Sequence, residues 1–373
     1  MIKWKGPTLD PSGYGTANRD YIYALNSIGA NITVAPWNWE AQKASFYGEA
    51  GELVESLKNR NIDYDFVIHH YVPNQIQNNI EKGKINVGYS TWETDKIPPH
   101  WVDNINNCFD LQLVPSHWNK QTYKASGVKI PIEVVPHCLD TTPFEQAEVL
   151  EMPEFENCFK FLSVFQWIER KNPFGLLKAY FSEFTGHDDV VLLLKTYGSS
   201  TSEKEKNRLK QMIAAIKRDV NLKHYPPVYF LSDLLSREEM YSLYKTADCF
   251  VLPTRGEGFG IPFAEACAAE NTVIAPKYGG QTDFLKEPFA LLTSYFLTPV
   301  AHMYWIPHYN ATMNWAEPNL NETKLFMRQM YEHSNSKRLD EWKKAGKEYM
   351  KKTLNYEKVG KLFLQKLKEF QND

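Results

Sequence analysis

The stretch Asp248-Cys249-Phe250-Val251-Leu252-Pro253-Thr254-Arg255-Gly256-Glu257-Gly258-Phe259-Gly260-Ile261-Pro262-Phe263-Ala264-Glu265-Ala266 decides how this chain is read. An apolar strand ends at Pro253, a glycine-rich loop follows, and Pro262 opens a helix where its missing N–H costs nothing. Glycines let backbone amides come close to a ligand. A helix N-terminus adds unpaired N–H groups and the positive end of a dipole. Together they make a cradle for an anion such as a phosphate or diphosphate. Two carboxylates bracket it, Glu257 in the loop and Glu265 about one turn into the helix. Carboxylates beside a phosphate repel it, so these two suit hydroxyls: one on a ribose diol, the other near a sugar ring.

Working outward, the same strand–helix alternation runs along most of the chain. Strands are expected at 159–165, 190–195, 228–231, 249–252 and 272–275, with helices at 173–184, 203–220, 237–246 and 262–269 between them. The first part repeats the pattern, with strands at 31–35, 65–69, 85–89, 111–114 and 132–135 and helices at 16–28, 98–108 and 117–125. Between the two, 141–157 is polar, acidic and proline-containing, and reads as a linker. The expected fold class is α/β: two Rossmann-like doubly wound domains facing across a cleft, with ligands at the carboxyl ends of the strands. The expected domains are 1–145, 155–340 and a helical segment 341–373 whose last helix crosses back to the first domain. Residues 294–318 read as a long irregular stretch rich in aromatics.

The composition narrows the function classes. With 373 residues the chain exceeds what one compact core usually holds. Its 43% hydrophobic and 23% charged residues exclude a disordered or fibrous protein. A net charge of −3 supplies no global field for nucleic acid. The local excess at 341–373, nine Lys against five acids, reads as the solvated face of amphipathic helices. The five cysteines are scattered and never form a C-x-x-C pair, which fits reduced thiols rather than a disulfide framework or zinc site. No apolar leader or spanning run is visible, so the expected location is cytoplasmic, with room for peripheral contact at the inner membrane face.

Leu252-Pro253-Thr254, Glu257-Gly258-Phe259-Gly260-Ile261-Pro262, Glu265-Ala266 and Tyr278-Gly279-Gly280-Gln281-Thr282-Asp283 resemble the nucleotide-sugar signature of family-4 retaining glycosyltransferases of the GT-B fold, glycosyl transferases group 1. Val114-Pro115-Ser116-His117-Trp118-Asn119 and Val135-Pro136-His137 extend the likeness into the first domain. The resemblance implies that Glu265 holds the donor ribose and that Glu257 lies near the donor sugar or reaction centre. It also implies that Thr254 and the amides of Gly258, Phe259, Gly260 and Ile261 face the diphosphate and sugar.

Three further elements join the constellation. In Gln166-Trp167-Ile168-Glu169-Arg170-Lys171-Asn172-Pro173, adjacent cations follow a strand, and the resemblance gives them the leaving diphosphate. The family's Gly-Arg pair is replaced here by Phe165-Gln166, so Lys171 is the better carry-over and Arg170 the substitute. The loop Pro7–Arg19 supplies Gly13 and Gly15 as donor-side glycines. At the end of another strand, Glu93 and Thr94 stand where relatives place a histidine, and His69 and His70 are further acceptor-side candidates. No metal-ligand spacing is present, so neither a metal nor a cofactor is expected.

The implied activity is a retaining, metal-independent transfer of a sugar from a nucleoside-diphosphate sugar, UDP- or GDP-linked, to a hydroxyl of a glycan, lipid-linked oligosaccharide or protein. Rival readings are an epimerase or hydrolase of the same fold, a non-catalytic nucleotide-sugar-binding subunit, and a glycosyltransferase acting on modified DNA bases. The acceptor, the sugar and the oligomeric state are not set by the sequence.

Overall fold

The computed structural model describes residues 1–37, 42–74 and 76–372. The chain divides into two compact units, one of Met1–Asp140, Gly279–Asp283 and Lys351–Asp373, the other of Thr141–Tyr278 and Phe284–Met350.

Six parallel strands form the sheet of the first unit: β1 (Ile2–Gly6), β2 (Ile32–Pro36), β3 (Phe66–His70), β4 (Ile85–Tyr89), β5 (Leu111–Val114) and β6 (Ile132–Val134). Their order is β2-β1-β3-β4-β5-β6. Helices α1 (Gly13–Ser27), α2 (Gly48–Leu57), α3 (Pro99–Cys108) and α4 (His117–Ser126) connect them. Caps explain the boundaries. Ser116 accepts from the Asn119 amide at the start of α4, and Gly127 closes it in the left-handed region at φ 107°.

The second unit opens with α5 (Thr142–Gln146) and holds β7 (Phe159–Gln166), α6 (Pro173–Glu183), β8 (Val190–Tyr197), α7 (Glu203–Val220), β9 (Val228–Leu231), α8 (Arg237–Thr246), β10 (Cys249–Val251), α9 (Ile261–Ala268), β11 (Thr272–Pro276) and β12 (Ala290–Thr293). This sheet is also fully parallel, in the order β12-β11-β10-β7-β8-β9. The near-continuous apolar run Val190–Leu194, buried on both faces, is what a central parallel strand requires. A two-stranded antiparallel ribbon, β13 (Tyr295–Pro299) with β14 (Asn314–Pro318), precedes α10 (Leu320–Glu332) and α11 (Lys337–Thr353).

The last helix, α12 (Tyr356–Asn372), lays Val359, Phe363 and Leu367 into the core of the first unit. A Cβ on Gly360 would sit 2.9 Å from the Ala24 carbonyl oxygen, so α12 packs on α1 at a distance only glycine allows. Among the described residues no helix is long and apolar enough to cross a membrane.

Two α/β sheets with helices match the expected architecture, and three local expectations are corrected. The stretch 294–318 is not irregular at its ends but pairs them as the β13–β14 ribbon. Residues 141–157 hold the short helix α5 and a 3-10 turn at Pro153–Phe155. The first helix starts at Gly13 rather than Thr16, because the Ser12 side chain caps it by accepting from the Gly15 amide.

Candidate active site in the second unit

In an open parallel sheet the ligand crevice lies where the strand order reverses. Here the chain runs outward from β7 through β8 to β9, returns to β10 beside β7, and continues outward through β11 to β12. The crevice is therefore bounded by the loop after β7, 167–172, and the loop after β10, 252–260. Both are the stretches that carried the sequence motifs.

Hydrogen bonds lock the two loops together. The Arg255 amide donates to the Arg170 carbonyl at 2.7 Å, and Thr254 Oγ1 lies 3.1 Å from the same oxygen. Arg170 Nη1 returns a bond of 2.6 Å to the Gly256 carbonyl. Asn172, at φ 55°, caps α6 by accepting from the Gly175 amide, and a Cβ on Gly175 would lie 2.5 Å from the Asn172 side chain. That cap ends the basic loop abruptly and fixes where Lys171 leaves the backbone. Arg255 is spent on structure. It donates to the Glu169 carbonyl and carboxylate at 2.7 and 2.8 Å and to Glu317 on β14 at 2.6 Å.

Glu257 is the electrostatic centre. It is buried, and Lys171 Nζ lies 2.5 Å from its Oε1 while Arg170 Nη1 lies 3.4 Å from its Oε2. Thr254 Oγ1 donates to Glu257 Oε1 at 2.9 Å. Burial alone would push the carboxyl up, but Lys171 and Arg170 outweigh it and hold Glu257 below the usual carboxylate range. Two cations thus converge on one buried carboxylate. The same loop ends at the N-terminus of α9: Gly260 stands at the cap with φ 89° and, as a glycine, has no side chain of its own to cap the helix.

One turn into α9, Glu265 is buried and paired with Arg237 Nη1 at 2.5 Å. Arg237 is the first residue of α8, set there by a capping box between Ser236 and Glu239, and lies over the Tyr241 ring. The sequence reading missed Arg237. Its only signal was the Ser-Arg-Glu-Glu helix start, which points to a cap rather than a site. Phe259 is turned into the core against Phe284, 4.8 Å between ring centroids, so its side chain serves packing. Gly258 and Ile261 flank it on the loop and in the first turn of α9. Gln166, at the place of the family's arginine, donates to the Gly198 carbonyl at 3.3 Å.

The expected residues of the first unit are placed differently. Gly13 is exposed with open space around it. Gly15 is needed because a Cβ there would meet the Asp10 carbonyl oxygen at 2.0 Å, which gives it a packing reason independent of any ligand. Arg19, also missed, holds the preceding loop by donating to the Thr8 and Asp10 carbonyls, both at 2.9 Å. His69 is a core histidine and does not face an acceptor. It is fully buried, and its ring nitrogens pair with the Tyr71 hydroxyl at 2.9 Å and Asn86 Oδ1 at 3.0 Å. Burial lowers its pKa to about 4. His70 lies among the rings of Trp4, Tyr14, Tyr21, Tyr89 and His137, and is kept neutral first by burial and then by His137. Thr94 braces the turn after β4, accepting from Trp92 Nε1 at 2.7 Å and donating to the Lys96 carbonyl at 2.8 Å. Glu93 is half-buried beside it.

Comparison with known proteins meets this geometry at its centre. Residues 150–299 match the family model of glycosyl transferases group 1. Over 200 residues the chain is 21% identical to uncharacterized protein 356 of Sulfolobus islandicus rod-shaped virus 1, covering 53% of each. Over 110 residues it is 30% identical to the D-inositol 3-phosphate glycosyltransferase of an Arthrobacter strain, covering 30% of this chain and 24% of that protein. The matches thus span about half and about a quarter of these relatives. In three dimensions, HepE of Anabaena, solved with UDP and glucose, superposes with a TM-score of 0.66 over 99% of both chains at 12% identity. The chain therefore has the two-domain Rossmann-like fold of GT-B glycosyltransferases, and its segment 150–299 matches the model of the glycosyl transferases group 1 family.

Proposed function

We propose that this chain is a retaining, metal-independent glycosyltransferase that moves a sugar from a nucleoside-diphosphate sugar to a hydroxyl acceptor. The observation that carries the reading is the crevice of the second unit. There, two cations meet one buried carboxylate beside the N-terminus of α9, whose cap position is the glycine Gly260. The solved relative holding UDP and glucose favours a uridine-linked donor.

In this reading the anomeric C–O bond to the donor's β-phosphate breaks, and charge builds on the departing phosphate oxygen. Lys171, Arg170 and the amides of the Gly258–Gly260–Ile261 turn stabilise that charge without reorganising. The acceptor oxygen bonds to the anomeric carbon from the leaving-group face, and its proton passes to the departing phosphate oxygen. Glu257, held ionised by its cations, supports the positive charge that develops on the sugar. Glu265 accepts from the ribose hydroxyls, with Arg237 fixing its orientation. Glu93 is the remaining acceptor-side candidate in the first unit, at the carboxyl end of β4.

The test is turnover. Release of nucleoside diphosphate is followed across UDP- and GDP-sugars with glycan, lipid-linked and protein acceptors, for the native chain and Lys171→Ala. The reading requires acceptor-dependent release that falls more than tenfold in the variant, with a product whose anomeric configuration by NMR matches the donor's. Full activity of Lys171→Ala removes it from the phosphate role. Donor conversion without any acceptor points instead to an epimerase or hydrolase.

A further inference from the structure

Lys195 is a buried cation that the site described above does not use. It lies two residues before the end of β8, is only 7% exposed, and makes no ion pair or hydrogen bond among the described residues. Its one polar-type contact is a loose approach to the Tyr197 ring, 5.9 Å to the centroid. The acid whose charge reaches it, Asp233, is already bound to Lys206 at 2.6 Å. An ammonium taken out of water without a partner is costly to keep, and such groups concentrate where a ligand completes them.

The strand register says which face it occupies. Lys195 pairs with Val164, which is on the same face as Leu162 two residues earlier, and Leu162 pairs with Phe250 on β10. The Phe250 ring packs against Tyr244 of α8 and Phe263 of α9, at 6.1 and 5.4 Å between centroids. Lys195 therefore shares the face covered by the two helices that carry Arg237 and Glu265. The opposite face is that of Phe161, which packs on Tyr180 and Phe184 beside α6. On its other side Lys195 pairs with Leu231, the last residue of β9, whose following loop 232–236 leads into Arg237.

The lateral order is then informative. The diphosphate cradle lies between β7 and β10, and β8 stands one strand beyond β7, about 5 Å further from β10. A nucleotide with its phosphates at the cradle and its ribose at Glu265 has its base left to place, and the loop after β9 borders the side on which Lys195 stands. On the donor reading of the previous section, we propose that Lys195 is a base-contacting residue whose ammonium donates to a ring carbonyl oxygen. Uracil and guanine carry such an oxygen and adenine carries none, so this contact selects UDP- or GDP-linked donors over ADP-linked ones. Burial, opposed by Asp233, brings the Lys195 pKa down to about 8, so the ammonium is present at neutral pH and is lost as pH rises through that value.

Calorimetry on the intact chain tests this, using UDP, GDP, ADP and the monophosphate of whichever binds best, with Lys195→Met alongside. The expected result is at least tenfold tighter binding of UDP or GDP than ADP. Lys195→Met should remove about that factor, equally for the monophosphate and diphosphate, and only the native chain should weaken between pH 7 and 9. Lys195→Gln, which keeps a neutral donor, serves if the Met variant fails to melt cooperatively, and should bind with intermediate affinity. Unchanged affinity in the variant overturns the proposal. So does a loss that appears for the diphosphate and not the monophosphate, which puts the ammonium on phosphate. Absence of any nucleotide binding by the native chain is a different failure, since it overturns the donor reading and this inference with it.

Discussion

Removing Lys171 should expose how much of the second unit's stability is tied to its site. The Lys171 and Glu257 side chains are 12% and 7% exposed, and their charged atoms lie 2.5 Å apart. At an effective dielectric near 20 the gross attraction is about 7 kcal/mol, with about 5 kcal/mol more from Arg170 at 3.4 Å. Desolvation offsets much of this, and breaking one partner of a buried pair typically costs about 3–5 kcal/mol. Lys171→Met should therefore destabilise the second unit by about 3 kcal/mol or more at pH 7. Glu257→Gln relieves the buried charge that Lys171→Met strands, so the double variant should be more stable than the sum of the single losses by at least about 1.5 kcal/mol.

The pH dependence has a defined sign. Glu257 has a depressed pKa, so its contribution is complete above about pH 4.5, its unfolded value, and is lost as pH falls through the folded value below that. Urea titrations of the four proteins at pH 7 and pH 4 read both effects. Additivity of the single changes within about 0.5 kcal/mol would refute the buried-pair account.

Other expectations are more local. His69 and His137 are held neutral, chiefly by burial, with pKa values of about 4 and about 3. Their stabilisation is complete above the unfolded value near 6.5 and drains as pH falls toward the folded ones. At pH 5 this amounts to about 2 kcal/mol each, so hydrogen exchange from β1 and β3 should quicken between pH 7 and 5 once corrected for intrinsic rates, and less so in His137→Gln. Gly15→Ala should lower the melting temperature by forcing its Cβ against Asp10, whereas Gly13→Ala, which meets nothing within 4 Å, should be neutral or slightly stabilising. An equal response of the two glycines would contradict the close-approach reading.

How far the sequence could be read depended on how local the cause was. Helices α7 and α8 were legible to their end residues because Ser202 and Ser236 announce their starts. Helix α2 was not expected. Gly48 and Gly51 weaken its pattern, yet Gly51 is there because a Cβ would meet the Ala44 carbonyl oxygen at 2.1 Å, a fact of packing. The β13–β14 ribbon was hidden for a similar reason. Tyr295, Phe296 and Leu297 are all exposed, so no alternation marks the strand, and its partner comes only after a 14-residue excursion.

In the site, Glu257, Lys171 and Arg170 were found from motifs at the ends of β7 and β10, where a parallel sheet puts its chemistry. What stayed out of reach were partners fixed by the fold: Arg237 against Glu265, 28 residues apart, and Arg255 between Glu169 and Glu317. His69 shows the opposite failure. A strand-end histidine invites a functional reading, and only its buried bonds to Tyr71 and Asn86 reveal a packing role.

The most direct measurement of the central claim is calorimetric titration of the native chain and Glu265→Ala with UDP and GDP, without added metal. The account predicts tight binding of at least one diphosphate by the native chain, weakened at least tenfold in Glu265→Ala while the fold, by circular dichroism, is kept. Equal affinity in the two proteins would contradict the ribose assignment, and no binding to the native chain would contradict a nucleotide-sugar site in the second unit.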